Sequence, residues 1–253
     1  MVETILEYQE LQKNFGGVVA VNKLNMTVDI GSITSIIGPN GAGKTTIFNL
    51  TTGFLSPTAG NIKFFGNSIN QLKPHNIASL GIARTFQNVQ VFDNMSVLEN
   101  IMVGRHLRSK SGILSSTIIP PFLRKEEKHI KREAEKWLEF IGMADDSQIS
   151  AGSLPLGKQR MLEIARALAM EPKLILFDEP ASGLNARETL AIGELIGKIK
   201  ESGVTVVLVE HDMELIMDIS DIVAVINFGT RIAMGTPAEI QINEDVITAY
   251  LGD

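Results

Sequence analysis

Eight consecutive residues, Gly38-Pro39-Asn40-Gly41-Ala42-Gly43-Lys44-Thr45, fit the pattern G-x-x-x-x-G-K-[ST]. Glycines at this spacing let the backbone curl until successive N–H groups converge on one anion. The lysine adds a positive charge and the threonine a hydroxyl oxygen. This combination suits a chain of phosphates, with Lys44 reaching the β- and γ-phosphates and Thr45 offering its hydroxyl to Mg²⁺. The expected ATP cradle comprises Gly38, Asn40, Gly41, Ala42, Gly43, Lys44, Thr45 and Thr46.

A second group carries carboxylates. Asp178-Glu179-Pro180 closes the apolar run Leu174-Ile175-Leu176-Phe177. A carboxylate at a strand's C-terminal end faces the crevice where open α/β sheets bind ligands, so Asp178 is the expected Mg²⁺ partner. Glu179 is placed to polarise an attacking water. Two adjacent carboxylates are costly without a nearby cation, and Mg²⁺ supplies one. Gln87 and His211 each follow another short apolar run, at Ile82–Phe86 and Val206–Glu210. Alone, each reads as an ordinary surface or structural residue. Their shared placement after core strands brings them into the same candidate site.

These residues need a scaffold of alternating strands and helices, and the chain carries one. Strands are expected at Ser32–Ile37, Ile82–Phe86, Leu174–Asp178, Val204–Val209 and Ile222–Ile226. Helices are expected from Gly43 to about Thr52 and from Ala186 to Lys200. Continuous apolar strands alternating with helices imply a mainly parallel sheet covered on both faces. The first thirty or so residues and Asn61–Phe65 instead alternate apolar with polar residues around Gly16-Gly17 and Gly66-Asn67 turns, which predicts a small antiparallel layer. Between about Val89 and Gly152 no strong strand signal occurs. Glu126–Ile141 reads as a charged amphipathic helix with Trp137, Leu138 and Ile141 on its apolar side, and Lys110–Pro121 as a loop. The expected organisation is an α/β core over about 1–88 and 160–253, with a helical sub-domain inserted at about 89–159.

Composition narrows the class. Hydrophobic residues make up 44 % and charged residues 21 % of 253, ordinary for a globular chain with a sizeable core. Asp and Glu number 29 against 23 Lys and Arg, a net charge of −6. That balance argues against a general nucleic-acid binder. The absence of cysteine rules out disulfides and thiolate metal sites. The opening Met1–Glu7 has no basic start followed by an apolar run, so no signal peptide is expected. No run approaches the ~18 apolar residues of a membrane span, so any membrane service requires other chains to do the spanning.

Together these motifs resemble the ATP-binding cassette of ABC transporters, a P-loop NTPase with a RecA-like core, along essentially the whole chain. Gln87 stands where the family's Q-loop lies and Leu154-Pro155-Leu156-Gly157-Lys158-Gln159-Arg160 where its signature stretch lies. Residues 174–179 match its second acidic motif, Ser182-Gly183-Leu184-Asn185 its D-loop, and His211 its switch histidine. The resemblance implies that Phe15 stacks on adenine and that Gln87 senses Mg²⁺ and the attacking water and couples to a membrane subunit. It also implies that His211 contacts the γ-phosphate and supports Glu179, and that backbone groups near Gly157 help close a partner's ATP site. Arg84-Thr85-Phe86-Gln87, Gly183-Leu184-Asn185, the 107–142 region and the Ile226–Leu251 tail are similar to the first ATPase of branched-chain amino acid importers. The lipopolysaccharide-export ATPase overlaps at several of these points. A soluble, non-transport ABC ATPase and a non-hydrolysing nucleotide-binding regulator are further alternatives.

The resemblance further implies transmembrane permease partners, an extracytoplasmic substrate-binding protein acting indirectly, and a peripheral place on the cytoplasmic face of the membrane. Two cassettes are expected to face head-to-tail. In the signature, the family's Leu-Ser-Gly-Gly-Gln is altered: Pro155 replaces Ser, Leu156 the first Gly, and Lys158 the Gln. A proline suits the first turn of a helix, and a helix N-terminus remains an anion site. The lost hydroxyl favours pairing with a second, different ATPase over a homodimer.

Overall fold

A computed structural model describes residues 3–105 and 121–251. The chain divides into two units. The first joins Met1–Arg84 to Lys173–Asp253, and the second is Thr85–Pro172.

Two sheets build the first unit. β1 (Thr4–Phe15), β2 (Val18–Asp29), β4 (Ala59–Phe64) and β5 (Asn67–Ser68) form an antiparallel sheet in the order β2-β1-β4-β5. β1 turns into β2 through Gly16, whose φ of 57° favours glycine. The second sheet contains β3 (Ile33–Ile37), β6 (Ile82–Arg84), β7 (Leu174–Asp178), β8 (Thr205–Val209), β9 (Ile222–Asn227) and β10 (Thr230–Gly235), in the order β10-β9-β3-β8-β7-β6. All neighbours in it are parallel except the β9–β10 hairpin.

The parallel strands are buried on both faces, which is why they read as nearly continuous apolar runs. Successive side chains of β9 show it. Ala224 and Ile226 join one apolar cluster with Leu6, Tyr8, Phe48 and Leu176, while Val223 and Val225 join another with Ile216 and Ile240. Helices α1 (Lys44–Thr51) and α2 (Pro74–Leu80) follow strands of the N-terminal part. α6 (Ala186–Glu201) begins at a capping box in which the Asn185 side chain accepts from the Glu188 N–H and the Glu188 side chain accepts from the Asn185 N–H. α7 (Met213–Ile219), α8 (Pro237–Gln241) and α9 (Glu244–Leu251) complete the unit.

The second unit is helical: α3 (Val97–Arg105), α4 (Pro121–Phe140) and α5 (Leu156–Leu168). α4 starts earlier than the expected Glu126. It buries Ile130, Ala134 and Leu138, at helical spacing, with Ile141 just beyond its end. Of the loop expected over 110–121, residues 110–120 lie outside the described residues.

The strand expected over Ile82–Phe86 ends at Arg84. Beyond it, side chains of α5 take the backbone groups a neighbouring strand would otherwise need. Phe86 N–H donates to Glu163 Oε1 (3.4 Å), and Arg160 donates to the carbonyls of Phe86 and Gln87 (2.8 Å each). Pro155 also departs from expectation. It precedes the first turn of α5 as the N-cap, with extended backbone at ψ 152°. Proline lacks the N–H an interior helical residue needs, and the cap position asks for none.

Candidate nucleotide site

β3 delivers the chain to Gly38, and the loop that follows admits no side chain at two points. A Cβ on Gly38 would lie 1.9 Å from the Ile226 carbonyl oxygen, and one on Gly43 2.3 Å from that of Ala20. The glycines therefore serve close backbone approach as well as curvature. Helix α1 opens at once on Lys44, so its first N–H groups face the same concavity. The Lys44 side chain is buried, and its ammonium donates to the carbonyls of Gly38 (2.7 Å) and Pro39 (3.1 Å). Burial pulls this ammonium below the ordinary lysine range, opposed by the Glu179 and Asp178 carboxylates. Residues 40–46 line an open cavity of about 200 Å³ together with Ala20, Glu179 and His211.

Neighbouring strands β7 and β8 end side by side and bring up the acidic half. Asp178 and Arg84 form an ion pair at 2.7 Å, with side chains only 5 % and 6 % exposed. Arg84 also donates to Asn49 Oδ1 (2.7 Å), and its guanidinium lies 5.5 Å from the Phe48 ring centre. Glu179 has a left-handed backbone, φ 51°, unusual outside glycine. His211 Nε2 stands 3.0 Å from Glu179 Oε1. One cavity thus gathers the phosphate cradle, a carboxylate and an imidazole.

Phe15 does not line that cavity. It ends β1 with 47 % of its surface exposed, and Lys13 Nζ sits 5.1 Å from its ring centre. Phe15 is therefore not a core residue. Gln87 and Gly157 belong to the second unit, where Gln87 is exposed and Gly157 is buried in the first turn of α5. Lys158, standing where the family has Gln, is paired with Asp146 Oδ2 at 2.6 Å.

Sequence reasoning missed three residues that hold these groups. Arg84 fixes Asp178. In the second unit, Arg160 and Glu163 form a buried pair at 3.2 Å and bind the backbone at Phe86 and Gln87. Burial raises the Glu163 carboxyl above the usual range, with Arg160 opposing. An Arg and a Glu three apart on a helix were legible as a pair, but their distant backbone partners were not.

A larger cavity of about 810 Å³ lies against the same loop, lined by residues 39–42, Asn227, Phe228, Ile232 and three residues of α9. Its lining carries no cationic side chain, whereas that of the smaller cavity includes Lys44. Among the described residues no cluster of three or more His, Cys, Asp or Glu could hold a metal alone. Thr45 and the nearby carboxylates offer only hard oxygens, a set that fits a Mg²⁺ ion carried in on nucleotide phosphates. No helix among the described residues is long and apolar enough to cross a membrane.

Comparison with known proteins accounts for the arrangement. The family model described as "ABC transporter" matches residues 21–182, and that described as "Branched-chain amino acid ATP-binding cassette transporter" matches residues 230–253. The chain is 46 % identical to the high-affinity branched-chain amino acid transport ATP-binding protein BraF of Pseudomonas aeruginosa, and 43 % identical to LivG of Escherichia coli K12, each over the full length of both chains. Among solved structures it is similar to the ADP conformation of MJ1267, an ATP-binding cassette of an ABC transporter. The TM-score is 0.85 at 32 % identity, covering 99 % of each chain. The match spans both units and reaches the C-terminal tail that resembled one branch in sequence. This chain therefore belongs to the ABC transporter family, in its branched-chain amino acid ATP-binding cassette branch.

Proposed function

We propose that this chain is the ATP-hydrolysing subunit of an importer for branched-chain amino acids, bound on the cytoplasmic face of the membrane to permease subunits. The observation that carries this reading is the cavity in which Lys44, Glu179 and His211 converge on one phosphate-sized cradle. Phosphoryl transfer asks little covalent chemistry of a protein and much positioning. Backbone N–H groups of residues 40–46 hold the phosphates. Lys44, resting on its own loop carbonyls, exchanges those partners for phosphate oxygens. Thr45 and Asp178 would hold Mg²⁺, which when bound neutralises charge on the β- and γ-phosphates. A water attacks the γ-phosphorus in line, the bond to the β,γ-bridging oxygen breaks, and Glu179 takes the water's proton. His211 keeps the Glu179 carboxylate in place and contacts the γ-phosphate. The family resemblance adds Gln87 as the sensor that couples to the permease. The test is Mg²⁺-dependent phosphate release by the purified chain, followed by co-purification with its native membrane subunits. Absence of turnover in the assembled complex would overturn the reading.

Phe15, exposed at the end of β1, is the proposed adenine platform. Stacking of a base on an aromatic is worth roughly 1–3 kcal/mol. Phe15→Ala is expected to weaken ATP and ADP binding by about 5- to 150-fold, read by nucleotide titration. Unchanged affinity would place adenine elsewhere.

The altered signature bears on assembly. No side chain caps α5, and Lys158 is engaged by Asp146, so closure of a partner's ATP site falls to backbone groups near Gly157. Loss of a serine donor costs about 1.5–3 kcal/mol, one to two decades in affinity. A homodimer suffers this at both sites, whereas a different ATPase with an intact signature spares the site built on Lys44 and Glu179. ATP-dependent dimerisation of the Glu179→Gln chain should therefore be at least tenfold tighter with a second ATPase than with itself. Tight self-association that the partner does not improve is the contrary result.

A further inference from the structure

Glu210 is 5 % exposed and follows the last residue of β8. Its two carboxylate oxygens do different things. Oε1 accepts the N–H of Ala181 at 2.7 Å, and Oε2 accepts the N–H of His211 at 2.7 Å. These lengths are those of charge-assisted hydrogen bonds. One carboxylate thus ties the loop after β7, which carries Glu179, to the loop after β8, which carries His211.

The tie falls where the backbone needs it. Glu179 is in the left-handed region, a conformation that persists only when its surroundings over-determine it. On one side the Glu179 N–H donates to the Val209 carbonyl at 2.8 Å. On the other, two residues on, Ala181 is held by Glu210. The same carboxylate fixes the backbone from which the imidazole reaches Glu179 Oε1 at 3.0 Å. An apolar residue in place of Glu210 would leave the Ala181 and His211 N–H groups without these acceptors. Oε2 also lies 3.5 Å from the Asp212 N–H, so this buried carboxylate serves backbone amides of both loops, and the groups those loops carry give it a reason to be there.

We propose that Glu210 is a positioning residue for hydrolysis: it sets the separation and orientation of the Glu179–His211 pair by clamping their two loops together. The inference rests on the proposed role of Glu179. A misplacement of about 1 Å at a reacting centre costs on the order of 100-fold in rate.

Glu210→Gln is nearly isosteric but turns an NH₂ group toward one of the two amides, so one loop loses its acceptor. Glu210→Ala releases both loops. In the full chain assembled with its partner subunits, each variant should lower kcat by about 10- to 100-fold while nucleotide affinity stays within about threefold, because the cradle of residues 38–46 is untouched. In a Glu179→Gln background the same substitutions should cost nothing further, since the group being positioned is gone. An unchanged kcat in both variants would overturn the proposal. So would a kcat loss matched by equal loss of nucleotide affinity and thermal midpoint, or an undiminished additional loss in the Glu179→Gln background. If Glu179→Gln alone turns over normally, the role of Glu179 falls and that of Glu210 with it. That pattern differs from one in which only the Glu210 variants are silent.

Discussion

Glu179→Gln is expected to slow ATP turnover by roughly two to four orders of magnitude, the usual share of a general base. The amide keeps the side chain's length and can still accept from or donate to His211 Nε2, now 3.0 Å from the carboxylate. It cannot take a proton from water. In the proposed binding mode the phosphates are held by residues 40–46, Lys44 among them, which line the cavity with Glu179, so nucleotide affinity should change little. An effect on kcat without one on binding is the mark of an interaction made mainly in the transition state. With the proper partner present, the ATP-bound closed pair should accumulate, because its exit step has been removed. Phosphate release and equilibrium nucleotide binding, measured side by side, decide the matter. A wild-type rate in this variant removes Glu179 from the mechanism.

The second large effect concerns stability. Arg84→Ala leaves the Asp178 carboxylate in a setting only 5 % exposed without its 2.7 Å guanidinium partner. Breaking a buried ion pair from one side costs about 3–5 kcal/mol, mostly because the remaining charge is stranded. For a chain of this size that corresponds to a drop of about 6–20 °C in the thermal midpoint. The Asn49 contact and the guanidinium above Phe48 are lost too, which pushes in the same direction. Adding Asp178→Asn should recover a substantial part of the loss, because the stranded charge is then absent. A single variant within about 1 kcal/mol of wild type in urea unfolding would show that Lys44, which already feels the Asp178 charge, takes over as its counter-ion.

Which features were legible in the sequence follows from how local their physics is. β3, β7, β8 and β9 announced themselves because strands buried on both faces are apolar or small at nearly every position. The glycine loop leading into α1 was legible because its glycines and Lys44 lie within a few residues of one another. β10 was missed: its residues are exposed or half-buried at a sheet edge and carry no alternation. α8 carries a signal that went unused, since Thr236-Pro237-Ala238-Glu239 forms a capping box with Pro at its start. Arg84 and Glu210 could not be assigned from sequence. One depends on β6 lying beside β7, the other on the ends of β7 and β8 coinciding, and neither neighbour relation is local. Lys158 looked like a lost signature glutamine, while its engagement by Asp146 is visible only in three dimensions.

The pairing of β3 has a consequence for synthesis on the ribosome. Its two neighbours are β8 and β9, with Ile33 opposite Val206 and Thr34 opposite Ile222. The β1–β2 hairpin can close as soon as it emerges, but β3 must wait for partners made more than 170 residues later. At roughly 5–20 residues per second, that delay is on the order of 10–35 s. Throughout it, a strand of five apolar or small residues, Ile33-Thr34-Ser35-Ile36-Ile37, has both edges open. Unpaired edges of this kind invite association with other nascent chains. The strand that leads into the glycine loop is thus a part of the newborn chain that calls for a chaperone's cover.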